Sequence, residues 1–362
     1  MDKRFNKLEK VIADNSLDGV ILTDGYNIHY ISGYKGHTGC MLVIKDKKYI
    51  LTDSRYTEQV SIEAPDFICV DVGLEGYSKT ILRLIKELSC QERISIGFEN
   101  EEISYKQYKA FEESLGEVAS LVCLDNKVNA LRMVKDSYEI ECIAKAESIG
   151  DEAFNHIIEF IEAGMTEKQV ALELEYTMKS LGASGLSFDT IAASGPNSSL
   201  PHAQPSDRVL QDGDFLTLDF GCIYDGYCSD MTRTVYIGEE PNKKQYDVYA
   251  TVLKAQREAL KLVKPGARCS DIDACARNII AEAGYGDYFG HGLGHSVGLY
   301  IHEEPRCSRK CDTILEVGMT MTIEPGIYLP GEFGVRIEDL VVVTEDGYRN
   351  LASSEKNLFL LA

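Results

Sequence analysis

The second half of the sequence concentrates carboxylates in short segments that otherwise read as β-structure. Between Asp214 and Val235, Asp219 and Asp230 lie on either side of an Asp225-Gly226 turn signal, among Phe215, Leu218, Ile223 and Val235. If the strands pair around that turn, the two carboxylates face each other with Cβ atoms about 5 Å apart. Like charges so placed repel, and the apolar neighbours leave water poorly placed to relieve them; a metal ion would. The segment from Met321 to Val343 repeats the device. Glu324 and Glu338 flank Pro330-Gly331 at nearly equal separation, on strands rich in Ile, Val and Met. Arg336, two residues before Glu338, projects from the same face and could orient that carboxylate. Asp339 should point the other way, and Asp225 reads as a turn residue. Either pair alone could equally be a solvated strand face.

The histidines shift that balance. Of seven in the chain, three fall within His291-Gly-Leu-Gly-His295-Ser-Val-Gly-Leu-Tyr-Ile-His302. Gly290, Gly292, Gly294 and Gly298 make this a poor helix, so His291 and His295 are not a helical ligand pair. On an extended segment both share one face, with glycines that allow close approach of backbone or substrate. His302 needs an intervening bend to join them. His202 sits in a loop bounded by Pro201 and Pro205. His29, His37 and His156 read as ordinary structural or surface residues.

These groups need a scaffold. The chain has 362 residues, which suggests two domains, and it is 44% hydrophobic and 26% charged, as expected of a globular protein. Residues 1–125 alternate strand-length apolar runs (Gly19–Leu22, Met41–Ile44, Ile94–Phe98, Val118–Leu124) with helical stretches such as Tyr77–Leu88, and Asp46-Lys47-Lys48 suggests a hairpin turn. This reads as an α/β layer domain. Residues 126–362 form the second domain. A long helix begins near Asp136 with Ile140, Ile143, Ala146, Ile149, Ala153, Ile157 and Ile161 on one face. Thr166–Gln169 has capping-box form and opens a helix that stops at Gly182. Two more helices are expected over about 243–263 and 270–283, and the remainder is strand and turn.

With Asp219 and Asp230 in Asp-Phe-Gly…Ser-Asp-Met-Thr-Arg-Thr, His295 in His-Gly-Leu-Gly-His, Glu324 in Ile-Glu-Pro-Gly-Ile-Tyr and Glu338 in Arg-Ile-Glu-Asp, the sequence resembles the pita-bread metallopeptidases. That family includes methionine aminopeptidase, aminopeptidase P and prolidase. Order, spacing and neighbours agree over the whole chain. Residues 1–125 look like the creatinase/prolidase amino-terminal domain, which methionine aminopeptidases lack, so the likeness is to the aminopeptidase P/prolidase branch. The implied fold is α+β: an α/β amino-terminal domain followed by a pita-bread catalytic domain, a curved antiparallel sheet covered by helices.

Position by position, the resemblance implies two divalent ions. Asp230 and Glu338 would bridge them, Asp219 would complete one, and His295 with Glu324 the other. This mostly hard-oxygen donor set suits Mn²⁺ first, with Co²⁺ or Zn²⁺ as alternatives. Glu324 would shuttle the proton from the nucleophile to the leaving nitrogen. His202 and His302 would stabilise the oxyanion or hold substrate, and His291 would shape the pocket beside the leaving proline. Arg306 occupies a position linked in prolidases to a dipeptide's terminal carboxylate; it could equally be a surface arginine paired with Glu303 or Glu304. The implied activity is hydrolysis of the bond preceding proline, as an Xaa-Pro aminopeptidase or, alternatively, a prolidase restricted to dipeptides. A metal-free creatinase and a catalytically inactive binding module of the same fold are disfavoured, because all five ligand positions are filled.

Partners and compartment follow from charge and thiols. Lys plus Arg is 37 and Asp plus Glu is 58, a formal net charge of −21, which argues against nucleic acid or an anionic membrane. No apolar run spans a bilayer and none near the start reads as a secretory signal. The eleven scattered cysteines look like reduced, mostly buried side chains of a cytoplasmic protein. Small peptides with proline second are the expected substrates, and the family likeness suggests a homodimer.

Overall fold

The computed structural model describes residues 2–36, 38–88, 92–162 and 164–361; His37 and Cys90 lie outside them. The chain forms two compact units, Met1–Arg132 and Met133–Ala362. Among the described residues no helix is long and apolar enough to cross a membrane.

In the first unit the apolar runs become a six-stranded mixed sheet. Its order is Ile68–Asp71, Lys47–Thr52, Cys40–Ile44, Gly19–Leu22, Ile94–Phe98, Ala119–Cys123. The hairpin turn expected at Asp46 is there: Ile44 pairs with Lys47, and Lys45 takes a left-handed φ of 52° to close it. The Tyr77–Glu87 helix buries Ile81, Leu84 and Ile85 against this sheet. Two short helical turns after residue 125, Asp125–Lys127 and Asn129–Arg132, stay with the first unit. Arg132 explains why: it pairs with Asp24 at 3.2 Å and donates to Asn27.

In the second unit the helix Ser137–Phe160 starts where Asp136 and Glu139 cap each other's backbone N–H groups. Ile143, Ile149, Phe154 and Ile157 on its inner face are wholly buried, each worth about 1.5–3 kcal/mol relative to exposure. The helix Glu167–Ser180 has the expected Thr166–Gln169 box, and Gly182 (φ 106°) follows its end. The helices Lys243–Leu260 and Cys269–Glu282 complete the set. They cover antiparallel ladders: Ile191–Ser194, Phe215–Phe220 and Met231–Ile237 in one sheet, Thr320–Ile323 and Asp339–Thr344 in another, and the hairpin Gly326–Leu329/Phe333–Arg336.

Register decides where the carboxylates fall. Asp225 (φ 48°) and Gly226 (φ 89°) form a two-residue turn that pairs Tyr224 with Tyr227, and the same register runs on to pair Asp219 with Thr232. The expected direct opposition of Asp219 and Asp230 is therefore corrected. Asp230 falls opposite Gly221, two residues along, and the carboxylates are diagonal neighbours on one face. In the second segment Gly326 pairs with Arg336 and Ile323 with Asp339. Glu324 and Glu338 lie in register in the gap between those two ladders. Their amides leave the hairpin and donate to Leu293 O (2.8 Å) and Thr232 O (3.1 Å), which ties both residues to neighbouring segments.

Candidate active site

All nine residues singled out above for the site line one cavity of about 610 Å³: Asp219, Asp230, Glu324, Glu338, His202, His291, His295, His302 and Arg306. Asp219, Asp230 and Glu338 each present an oxygen within 4.8 Å of the others. Glu338 accepts the Thr232 hydroxyl at 2.6 Å, and Glu324 accepts that of Thr322 at 3.1 Å. Among the described residues, Asp219 Oδ1 and Glu338 Oε1 are buried with no hydrogen-bond partner.

His295 stands against this cluster because Gly294 lets its strand in. A Cβ on Gly294 would lie 1.9 Å from Thr322 O, so only glycine allows Gly294–Ser296 to pack on Thr320–Ile323. His295 Nδ1 lies 3.1 Å from Ser296 O. A carbonyl only accepts, so Nδ1 carries the proton. Burial, then the neighbouring His302, holds the His295 pKa down at about 3, which leaves the ring neutral and Nε2 with a bare lone pair. That lone pair lies 3.4 Å from Asp230 Oδ2 and 3.5 Å from Glu324 Oε1.

The carboxylates respond to crowding. Burial first, then Glu338, Asp219 and Glu324, pushes the Asp230 pKa far above the carboxylate range. Burial, then Glu324 and Asp219, does the same to Glu338. Glu324 is pushed up to about 8 by burial and Asp219, against the pull of Arg336. Bare acceptor atoms, a lone pair aimed at carboxylate oxygens, and four largely buried carboxylates beside a single guanidinium, that of Arg336, all fit a divalent cation among these five side chains.

Arg336 does not orient Glu338 as expected. Its side chain reaches across to the Phe215–Phe220 strand, bonds Asp219 at 2.5 Å and donates to Thr232 Oγ1 and the Tyr328 hydroxyl. Thr232 takes the place expected of Arg336 beside Glu338. Nor do His291 and His295 share a strand face, since the strand begins only at Gly294. His291 turns to Tyr328, 2.9 Å from Nε2 to the hydroxyl. The bend before His302 is present and brings its ring to 4.6 Å from that of His295, edge to face. His202 and His302 are exposed to the cavity. Arg306 is exposed on its wall and lies 3.7 Å from Glu304, one of the two acids expected as its surface partner.

Several supporting groups had no role in the sequence reading. Asp273 and Arg277, one turn apart on the Cys269–Glu282 helix, clamp the histidine loop: Asp273 accepts Leu293 N–H, and Arg277 donates to the carbonyls of Phe289 and His291 at 2.8 Å. Their four-residue spacing was the available signal. Tyr328 and Thr232 lie inside the quoted motifs, and Thr322 inside the segment from Met321 to Val343, but all three were silent until the strands were paired.

Residues 141–345 match the model of metallopeptidase family M24, and residues 4–134 match the creatinase/prolidase N-terminal domain. A Pyrococcus furiosus protein named Xaa-Pro dipeptidase is 39% identical over 99% of this chain and 100% of its own length. Among solved structures, an Xaa-Pro dipeptidase from Bacillus anthracis superposes with a TM-score of 0.93 at 40% identity, covering 99% of each chain. An X-Pro aminopeptidase from Thermotoga maritima gives 0.90 at 38% identity over 98% of this chain and 99% of that one. The α+β architecture and pita-bread second domain read from the motifs are thus those of its relatives, and the chain belongs to metallopeptidase family M24.

Proposed function

We propose that this peptidase hydrolyses the bond preceding proline in short peptides, with two divalent ions held by Asp219, Asp230, His295, Glu324 and Glu338. The observation that carries the reading is the proton-free His295 Nε2 facing Asp230 and Glu324 beside unpartnered oxygens of Asp219 and Glu338. Four carboxylates balance two divalent charges, and their oxygens favour Mn²⁺, with Co²⁺ or Zn²⁺ as substitutes. Ions so held supply a water with pKa lowered toward 7 and polarise the scissile carbonyl. Glu324, which lines the cavity beside the other ligands, carries the proton to the leaving prolyl nitrogen. His302 and His202, exposed in the cavity, hold the substrate carbonyl, and His291 shapes the wall beside the proline.

The named relatives include both dipeptidases and an aminopeptidase. Release of the amino-terminal residue from peptides longer than two is the main reading. Restriction to dipeptides is the second, favoured by Arg306, exposed on the cavity wall where a terminal carboxylate would be met. The ten described cysteines are all free, which supports a reducing, cytoplasmic setting; the homodimer rests on the family likeness and is read by analytical ultracentrifugation. The deciding experiment is bound-metal analysis with hydrolysis of Ala-Pro against Ala-Pro-Ala in Mn²⁺. Cleavage of both supports the aminopeptidase, cleavage of Ala-Pro alone the dipeptidase, and cleavage of neither removes the proposal in favour of a binding module.

A further inference from the structure

A second cavity, of about 470 Å³, adjoins the active site and shares His291, Gly292 and Ser308 with it as lining. It has no role in the chemistry above. Its remaining lining residues include three cations, Arg277, Arg309 and Lys310, and one acid, Asp287. Arg277 is spoken for: it makes a bidentate pair with Asp273 at 2.8 Å and donates to the carbonyls of Phe289 and His291. Arg309 and Lys310 are exposed and form no ion pair among the described residues. Two free cations against Asp287 leave this cavity locally positive on a chain of net charge −21. Because charge is screened beyond about 8 Å at physiological salt, a ligand there feels these two side chains and not the distant acidic surface.

The position along the chain matters as much as the charge. Arg309 and Lys310 follow, after Ser308, the strand Glu303–Cys307 that carries Arg306. On the proposed reading, which this inference rests on, the proline lies beside His291, and a third residue must continue past His291 and Arg306. The adjoining cavity borders His291 and takes in Ser308, Arg309 and Lys310, just past Arg306 in the chain.

We propose that the second cavity is the subsite for the residue after proline and that it selects an acidic side chain there, so that Xaa-Pro-Glu and Xaa-Pro-Asp are preferred tripeptides. The carboxylate is held by Arg309 and Lys310 in a cleft, where oriented charges act on binding more than on the chemical step. The expected preference is about three- to tenfold in kcat/KM, expressed mainly in KM and weakened by added salt.

The test compares Ala-Pro, Ala-Pro-Glu, Ala-Pro-Ala and Ala-Pro-Lys on the wild-type enzyme and on the double variant Arg309→Ala/Lys310→Ala, with Pro-Glu and Pro-Lys as competing inhibitors. Support consists of Ala-Pro-Glu outrunning Ala-Pro-Lys in the wild type, Pro-Glu inhibiting better than Pro-Lys, and both differences collapsing toward parity in the variant. Equal rates for the three tripeptides, failure to cleave any tripeptide, or a preference that survives the double substitution would overturn it. Ala-Pro separates the two levels: its cleavage without an acidic preference removes this subsite alone, whereas no cleavage of any of the four removes the Xaa-Pro reading beneath it.

Discussion

Glu338 and Asp339 are consecutive buried carboxylates, Asp339 opening the strand Asp339–Thr344 and Glu338 just before it, and their surroundings could hardly differ more. Asp339 is enclosed by donors: Arg233 at 2.9 Å, Gln256 at 2.9 Å, Asn350 at 3.0 Å and the ammonium of Lys356. Burial alone would raise its pKa, but the charges of Arg233 and Lys356 outweigh that and hold it below the usual range. Glu338 has one hydroxyl donor, the acidic neighbours Glu324, Asp219 and Asp230, and an oxygen with no partner among the described residues. A carboxylate with a full set of donors holds a fold together. One left short of them, among others like it, marks a place for a cation.

Exchanging each for its amide should break the molecule in opposite ways. Glu338→Gln removes a charge from an overcrowded cluster, so chelator-treated protein should keep or gain thermal stability. Metal binding and hydrolysis should fall by far more than the roughly 100-fold that loss of a supporting partner costs. Asp339→Asn strips the counter-charge from buried Arg233 and should cost about 3–5 kcal/mol, read as a lower unfolding midpoint, with metal stoichiometry retained in whatever protein stays folded. A Glu338→Gln protein that still binds two ions would end the assignment.

The first unit supplies a third buried carboxylate that sharpens the contrast. Glu99 accepts Thr23 N–H (2.6 Å), Asp24 N–H (2.9 Å) and the Asn27 amide (2.6 Å). It has neutral donors only, and burial raises its pKa to about 7 despite those bonds. The folded state thus holds the proton more tightly than the unfolded chain. The resulting stabilisation is complete below about pH 4.5, fades as pH rises, and is gone above about 7, a span on the order of 3 kcal/mol. Hydrogen exchange at the Thr23 and Asp24 amides should therefore accelerate relative to the intrinsic rate between those values. Glu99→Gln should remove that extra pH dependence. An identical profile in both proteins would show that Glu99 titrates as it does in the unfolded chain.

The same contrast explains what could be read in advance. Elements whose signal is local were legible: the capping residues Asp136 and Thr166, the face of Ile143, Ile149 and Ile157, and the turn at Asp225-Gly226. The residue composition of the cavity was legible too, because strand residues two apart share a face and the motifs are short. Register was not. Asp219 opposite Thr232 depends on a two-residue turn with both residues in the left-handed region, and one step of slippage changes every partner. Arg336 illustrates the remaining gap. Its face was evident from spacing, but a long side chain can reach either of two carboxylates, and which one depends on a neighbouring strand distant in sequence. The opposite face of Asp339 followed from alternation alone, while its four donors come from segments that only the fold brings together.

The weakest of these effects lies between the two extremes, at Tyr328, whose hydroxyl joins a structural residue to a site residue. His291 Nδ1 faces Gly292 O at 2.8 Å and so carries the proton. Burial, then Arg336, keeps the ring neutral by lowering its pKa to about 4. Nε2 is therefore an acceptor, and Tyr328 donates to it while accepting from Arg336 Nη1 at 2.8 Å. Tyr328→Phe deletes both bonds but leaves each former partner beside the cavity, where water can replace the hydroxyl. The loss should be about 1 kcal/mol of stability. Freed to rotate, His291 should raise KM for Ala-Pro a few-fold with little change in kcat, and nuclear magnetic resonance of the ring nitrogens should show Nδ1 and Nε2 tautomers exchanging where the wild type holds one. A wild-type KM with an unmoved tautomer would mean that Gly292 alone fixes the ring and that the tyrosine hydroxyl serves only Arg336.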